Sequence, residues 1–427
     1  MIRSRKLAAL GVAAAALAPV LAASAASATT VPSDEDLDGL VLDYIGGTAG
    51  EATGDPIKIG YANSEALLPE STIGLNTAVE YVNAELGGIQ GRPIEIVECQ
   101  VNTVEDGAAC GAQFANDDSI TLVLTGVILY GNADFYEALN GKKPILIGNG
   151  LTTDDFLTAA GVSFTAGSTG VIQGLAKYTI ETLQPATAAV INVDNAGGNA
   201  AANVLLKPAF DAAGIATSIV PIPETATAPE VASAMEAAGA SEADVLVILT
   251  TVQGCIAAYD AIQTLGIDPV VVTSGLCFGT PVREHMADLG EAGEFPDGWY
   301  FGGYGYSYFI PNYESGSNSY LAAIDEYGGG VAEVEYTGFA GPVFWNVMTA
   351  VKLLNGLGDD FSFESIDGAL RGFTGPMPGQ VGPIECGLPP FVASCGHQMG
   401  IQQYIDGEWV SIADGLNGEP VDVTPAG

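Results

Sequence analysis

From Pro56 onward the apolar residues of the chain fall into two alternating rhythms. Short β-rich runs such as "IKIGY" (57–61) are each followed by a stretch whose apolar positions recur three and four residues apart. In the first such stretch Leu75, Ala78, Val79, Val82 and Leu86 share one helical face, and the glycines of "GGIQG" (87–91) stop it. Strands over 92–98, 120–126 and 144–148 alternate with helices over 104–115 and 131–140. The series then restarts with helix 169–183, strand 187–195, helix 198–213, strand 215–222, helix 229–239 and strand 244–251. Helix 254–265, strand 269–275, a short helix 281–289 and an aromatic, glycine-bearing strand 298–306 follow. Two long helices (312–327 and 342–357) and a hairpin over 400–412, turning at Asp406–Gly407, close the reading. Short strands alternating with helices build βαβ units, so the pattern predicts an α/β protein of two doubly wound parallel-sheet lobes in tandem.

The amino terminus departs from this pattern. Arg3, Arg5 and Lys6 precede an apolar, alanine-rich run from Leu7 to Ala23, and small-residue sites of the Ala-x-Ala kind end at Ala26 or Ala28. That is the form of a secretory signal peptide over 1–28, with Pro19 interrupting a run too weak for a membrane anchor. No cysteine follows it to take a lipid, so the expected product is an exported, soluble protein. Residues 29–55, acidic and small, read as a flexible spacer. A mature chain of about 400 residues exceeds one ordinary core and fits two lobes.

Charge narrows the partners. Lys and Arg total 12 against 51 Asp and Glu, a formal net charge of −39. So negative a field repels phosphate backbones and anionic lipid, which argues against nucleic-acid and membrane-surface partners, and no later segment is apolar enough for direct membrane insertion.

Catalytic constellations are missing. The two histidines, His285 and His397, stand far apart in no metal-ligand spacing. No nucleophile elbow or phosphate loop occurs, and "GGYG" (302–305) opens no phosphate-binding helix. The expectation is a non-enzyme without metal or cofactor. The six cysteines fit local bridges instead: Cys99 ends a strand and Cys110 lies on the next helix. Cys255 begins a helix and Cys277 follows the next strand, while Cys386 and Cys395 flank the tight loop "GLPPFVAS". An exported chain meets conditions in which such bridges persist, each worth on the order of 2–4 kcal/mol.

A ligand of an open parallel sheet binds beyond the carboxyl ends of its strands. Those positions hold Asn63 and Ser64, Thr125 and Gly126, and "GNGLTTDD" (148–155) in the first lobe. The second lobe supplies Asp194 and Asn195, then Thr250, Thr251 and Gln253, then Ser274. Each is also an ordinary helix-capping type, so the set on one edge carries more weight than any member.

At this point the chain resembles a known family. The order "IKIGYANSEA", "VNAELGGIQGRPIEIVECQ", "ITLVLTG", "KPILIGNGLTTDDF", "AAVINVDNAGGNAA" and "ADVLVILTTVQGCIAAYDAIQTLGIDPVVVTSG" is similar to solute-binding proteins of ABC importers. The type is the leucine/isoleucine/valine-binding, type I periplasmic binding protein. The likeness spans roughly 56–412, with "GGIQGRPIE" its most specific segment. It implies a three-crossover hinge with crossings near 166–171, 302–306 and 375–383, and the carboxyl-terminal hairpin in the second lobe. Lobe 1 would comprise 56–168 plus 307–378, and lobe 2 169–306 plus 379–427. Carry-over of binding residues is partial. The family's first loop is a Gly-Pro-Leu-Ser-Gly run, whereas "YANSEAL" retains only Ser64, and "TGVILYG" keeps Thr125 and Gly126 without a serine pair. Asn149 and Thr152 fall where the family grips an amino-acid backbone; the tyrosine-glycine usual after the second lobe's first strand is "NAGG" here. With Asp194, Asn195, Ser274 and Tyr304 these residues form the expected ligand set.

The resemblance implies capture of a small metabolite, led by a branched-chain type of amino acid or a related compound, and delivery to ABC permease subunits outside the cytoplasm. A ligand sensor on the same fold is the alternative, and a secreted α/β enzyme the more distant one.

Overall fold

In the computed structural model, which describes residues 34–290, 293–303, 316–329 and 338–425, each apolar run becomes a strand of one of two sheets. The first part runs α1 (Asp34–Ile45), β1 (Ile57–Asn63), α2 (Glu70–Ala84), β2 (Ile94–Gln100), α3 (Val104–Asn116), β3 (Ile120–Thr125), α4 (Asn132–Leu139), β4 (Ile145–Ile147), α5 (Thr153–Leu157) and β5 (Val162–Ser163). Its strands lie in the order β2-β1-β3-β4-β5, all parallel, with Ile57 opposite Ile94 and Ile59 opposite Leu122.

The second part repeats the design. It runs α6 (Gly167–Tyr178), β6 (Thr187–Val193), α7 (Ala196–Ala200), α8 (Lys207–Ala213), β7 (Ala216–Ile222), α9 (Ala228–Ala238), β8 (Val245–Leu249), α10 (Val252–Leu265), β9 (Val270–Ser274), α11 (Thr280–Leu289) and β10 (Tyr300–Gly303). The parallel order β7-β6-β8-β9-β10 matches that of the first sheet, so both reverse direction beside their first strand. The remaining elements are α12 (Ser317–Tyr327), α13 (Ala340–Gly356), α14 (Phe363–Arg371), β11 (Gln398–Ile405), β12 (Glu408–Ala413) and β13 (Val421–Asp422). β11 and β12 extend the second sheet antiparallel beyond β10, and β13 pairs with β11.

Burial explains the sequence patterns. β8, "VLVIL", is buried at every position, as a central strand covered on both faces must be. β7 is an edge strand with alternating exposure, and it tolerates Pro221. Each sheet has a core on either face: Ile59, Leu75 and Phe344 mark one side of the first, Phe114, Phe135 and Ile147 the other. The second sheet has the same arrangement around Met235 and Phe301 on one face and Leu175 and Phe210 on the other. α13 is buried at every residue from Ala340 to Val351 because other helices pack around it. Its closest approach is at Gly74 of α2, where a Cβ would stand 2.1 Å from the carbonyl oxygen of Ala340.

Two expectations are corrected. The stretch read as a flexible acidic spacer carries α1, whose Leu37, Val41 and Ile45 are buried at four-residue intervals. Tyr44 of α1 bonds Thr349 at 2.8 Å, and Lys352 donates to the Tyr44 carbonyl at 2.6 Å while lying over its ring. Acidic composition hid a three-residue apolar stripe. The third crossing also falls later than 375–383. Phe373, Met377, Ile384 and Cys395 all belong to the core of the first lobe, and the chain joins the second sheet only at Gln398. Pairing of this segment with β5 holds it back: Ser163 donates to the Ala393 carbonyl at 2.7 Å, and Cys395 donates to the Ser163 carbonyl at 2.8 Å.

The first crossing lies between β5 and α6, and α6 already packs on the second sheet. The second lies between β10 and α12, largely outside the described residues, as do Tyr304 and the expected signal peptide over 1–28. The first and third crossings run backbone to backbone. Ser394 donates its hydroxyl to the Thr165 carbonyl at 3.0 Å. A Cβ on Gly396 would stand 2.7 Å from the Thr165 carbonyl carbon and 2.8 Å from the Ala166 nitrogen. Gly396→Ala is therefore expected to destabilise the protein by about 1–3 kcal/mol, since neither backbone can yield. Urea denaturation of the variant checks this; an unchanged midpoint would show that the crossings have slack.

Candidate ligand site

The carboxyl ends of β1, β3 and β4 meet in the first lobe, and hydrogen bonds there sort the expected residues into framework and site. Ser64 is framework: its hydroxyl donates to the Val101 carbonyl at 2.8 Å and accepts from the Leu129 amide at 3.1 Å. Thr125 accepts from the Gly148 amide at 3.0 Å, tying β3 to β4. Asn63 accepts from the Val127 amide at 2.9 Å and donates to Glu65 at 2.9 Å and to the Leu68 carbonyl at 2.9 Å, folding the loop after β1.

Thr152 caps α5. Its amide and hydroxyl both donate to one oxygen of Asp155, at 2.8 and 3.0 Å, and the Leu151 amide donates to the same oxygen at 2.9 Å. The other oxygen of Asp155 receives Asn132 at 2.8 Å and Tyr136 at 2.6 Å. Burial pushes the Asp155 carboxyl up, against these donors, which favour its charged form. Burial and the neighbouring carboxylate push the Tyr136 phenol far up, so it keeps the proton it donates. One buried carboxylate thus shapes the loop Gly148–Thr152 from beneath.

Three buried polar groups in this region lack hydrogen-bond partners among the described residues: the Tyr61 hydroxyl, the Ser71 hydroxyl and Oδ1 of Asn149. They gather around Gly126. A Cβ there would stand 2.3 Å from the Tyr61 hydroxyl oxygen and 2.7 Å from Cβ of Ser71, and the Asn149 amide donates to the Gly126 carbonyl at 3.0 Å. Burial pushes the Tyr61 phenol well up; the hydroxyls of Ser71 and Thr72 lie beside it without hydrogen-bonding geometry. Asn149 donates through its side-chain nitrogen to the Phe339 carbonyl at 3.3 Å, next to the start of α13. Unpartnered buried polar atoms cost on the order of 1–3 kcal/mol each. A cluster of them at the edge where open sheets bind ligands marks the candidate site.

In the second lobe Asn195 caps α7, accepting from the Gly198 amide at 2.8 Å and donating to Glu224 at 2.6 Å, and Asp194 accepts from Asn199 at 3.0 Å. Thr251 caps α10. Thr250, at the end of β8, is buried with its hydroxyl unpartnered among the described residues, and Gly254 leaves room for it. Ser274 ends β9 half-buried. The three bridges are closed: Cys99 to Cys110, Cys255 to Cys277, and Cys386 to Cys395. The second of these fastens the start of α10 to the turn after β9, fixing the edge that carries Thr250 and Ser274.

Sequence reasoning missed Tyr61 and Ser71. The signal for Tyr61 was an aromatic hydroxyl inside an otherwise aliphatic strand, "IKIGYAN". Ser71 lies in the first turn of α2, where a serine reads as a cap. Replacing Asp155 by Ala would strip the acceptor from four buried or half-buried partners. The expected cost is about 3–5 kcal/mol, read by thermal or urea unfolding; a loss below 1 kcal/mol would contradict this role.

Comparison with known proteins places the fold. A family model described as "Periplasmic binding protein" matches residues 61–405. No curated protein sequence matches the chain. Among solved structures, the solute-binding protein of an ABC transporter from R. palustris, in complex with 4-hydroxybenzoate, is 15% identical with a TM-score of 0.67. That match covers 87% of this chain and 98% of the other. An ABC transporter substrate-binding protein from Desulfitobacterium hafniense in complex with Leu is 18% identical over 84% of this chain and 100% of its own, at a TM-score of 0.65. The branched-chain amino acid transporter substrate binding protein LivJ from Streptococcus pneumoniae, in complex with isoleucine, is 16% identical over 84% and 98%, at 0.64. At these identities the likeness is one of fold.

Proposed function

The chain belongs to the periplasmic binding protein family, and on that premise we propose that it is an exported solute receptor. It captures a small metabolite between its two lobes and delivers it to the membrane permease of an ABC importer. An amino acid of branched-chain type, or a related compound, is the leading ligand class, in keeping with the leucine and isoleucine bound by two of the similar structures. The observation that carries the reading is the group of unpartnered polar atoms of Tyr61, Ser71 and Asn149 around Gly126.

Capture needs no covalent step. A ligand that satisfies these atoms and touches the second lobe through Thr250 or Ser274 stabilises the closed arrangement by its differential contacts. Export agrees with the basic start and apolar run at the amino terminus. Among the described residues, no helix is long and apolar enough to cross a membrane.

Tyr61→Phe separates this role from a structural one. Removing a hydroxyl that has no partner among the described residues is expected to leave the melting temperature of the free protein unchanged or raised. The same change is expected to weaken ligand binding roughly 5- to 15-fold. A thermal-shift screen over amino acids, amides and aromatic acids supplies the ligand, and calorimetry on both proteins reads the affinity. Equal affinities would remove Tyr61 from the site, and turnover of the bound compound would overturn the receptor reading.

A further inference from the structure

The sequence places every cationic side chain, and none of them serves the carboxyl edges of the two sheets. Lys and Arg total 12, of which Arg3, Arg5 and Lys6 precede the apolar run; the other nine all lie within the described residues.

In the first lobe they collect at the opposite edge. Lys58, second in β1, pairs with Glu95 at 3.2 Å, and Arg92, just before β2, donates to the Asp55 carbonyl at 2.7 Å. Lys142 and Lys143 precede β4, and Lys143 holds the Asp117 and Ile120 carbonyls at 2.7 and 2.8 Å where β3 begins. Arg371 donates to the Ala159 carbonyl ahead of β5 and to Asp367, and Lys352 is bound to Tyr44 of α1.

The second lobe behaves alike. Lys177 donates to the Asp422 carbonyl at 3.2 Å, and Lys207 pairs with Asp211 on its own helix at 2.7 Å. Arg283 starts nearest the binding edge, on α11, but pairs at 2.6 Å with Glu294. The Glu294 amide is in turn bound by the Tyr404 hydroxyl, beside the amino end of β10. The histidines are engaged too: His285 with Asp260, and His397 with the Glu385 carbonyl.

The binding edges hold the reverse charge. Glu65 lies in the loop after β1, beside Asn63 and Thr72, and Asp194 and Glu224 lie in the loops after β6 and β7. The groups left unpartnered near the first edge are neutral: the Tyr61 and Ser71 hydroxyls and the Asn149 amide oxygen. Thr250 adds another hydroxyl in the second lobe. Such groups, with the helix N-termini that Thr152 and Thr251 cap, can solvate a carboxylate or an ammonium locally, but they supply no full charge to balance a net anion withdrawn from water. The field of a chain with net charge −39 adds to that cost.

We propose that the site takes zwitterionic or neutral polar solutes and discriminates against net anions. This rests on the receptor reading above and narrows it. A carboxylate enters only with its own ammonium, as in an α-amino acid, or masked as an amide. The two ligand types seen among the similar structures, an amino acid and 4-hydroxybenzoate, fall on opposite sides of this rule.

Matched skeletons test it on the mature wild-type protein. Calorimetry at fixed ionic strength compares leucine, 4-methylpentanamide and 4-methylpentanoate, then phenylalanine, 4-hydroxybenzamide and 4-hydroxybenzoate, then glutamine and glutamate. Within each set that binds, the net anion is expected to be roughly a hundredfold weaker than the best zwitterion or amide. An anion that binds as tightly as its uncharged or zwitterionic counterpart overturns the charge rule and leaves the receptor reading standing. Failure of every compound to bind overturns the receptor reading for this ligand class, and the charge rule with it.

Discussion

The contact on which the architecture depends is the passage of two crossing segments side by side. Each sheet on its own is an ordinary doubly wound layer with a core on either face. What makes them one machine is that the chain leaves the first lobe at Ser163–Gly167 and returns to the second sheet at Gln398 beside that exit. Ser163 is bonded on both sides to the segment Ala393–Cys395, and Gly396 lies against Thr165 and Ala166 with no room for a side chain. Close backbone contact fixes where the lobes are joined. The Cys386–Cys395 bridge closes the loop that delivers this segment.

The binding edge is mechanically continuous with that junction. The loop Gly148–Thr152, shaped from below by Asp155, is bonded to the start of α6: the Ser168 amide donates to the Gly150 carbonyl and its hydroxyl to the Leu151 carbonyl, both at 3.1 Å. Phe156 of α5 packs edge-on against Phe391 of the returning segment, and its ring fills the space above Gly167. A contact made at Asn149 is therefore two or three bonds from the first crossing. Rigid support on one side and a crossing between the lobes on the other is the arrangement the proposed closure requires.

Much of this was legible in the chain. Runs such as "VLVIL" and "TAAVINV" announce central parallel strands because both faces of the sheet are covered, and Asp406–Gly407 makes the hairpin turn with both residues at positive φ. The cysteine pairs were readable because each lies across a short local connection. What stayed hidden was set by distant partners. α1 looked like a spacer because its three buried residues sit among acids and find their cover on the distant α12 and α13. The third crossing was displaced by pairing between Ser163 and residues some 230 positions later, which no local pattern records. Site residues were the hardest to assign. Ser64, Thr152 and Asn195 share their types with true ligand contacts, and only the hydrogen bonds show their groups committed to the framework. Tyr61 and Ser71 emerge for the converse reason, that their hydroxyls have none among the described residues.

Movement of one lobe against the other on ligand binding is the central claim. Distance measurement by paired spin labels tests it most directly, with non-cysteine labels at the exposed Val104 of the first lobe and Val204 of the second. Saturating ligand is expected to shift the population to a shorter, narrower distance. Binding confirmed by calorimetry with an unchanged distance distribution would contradict it.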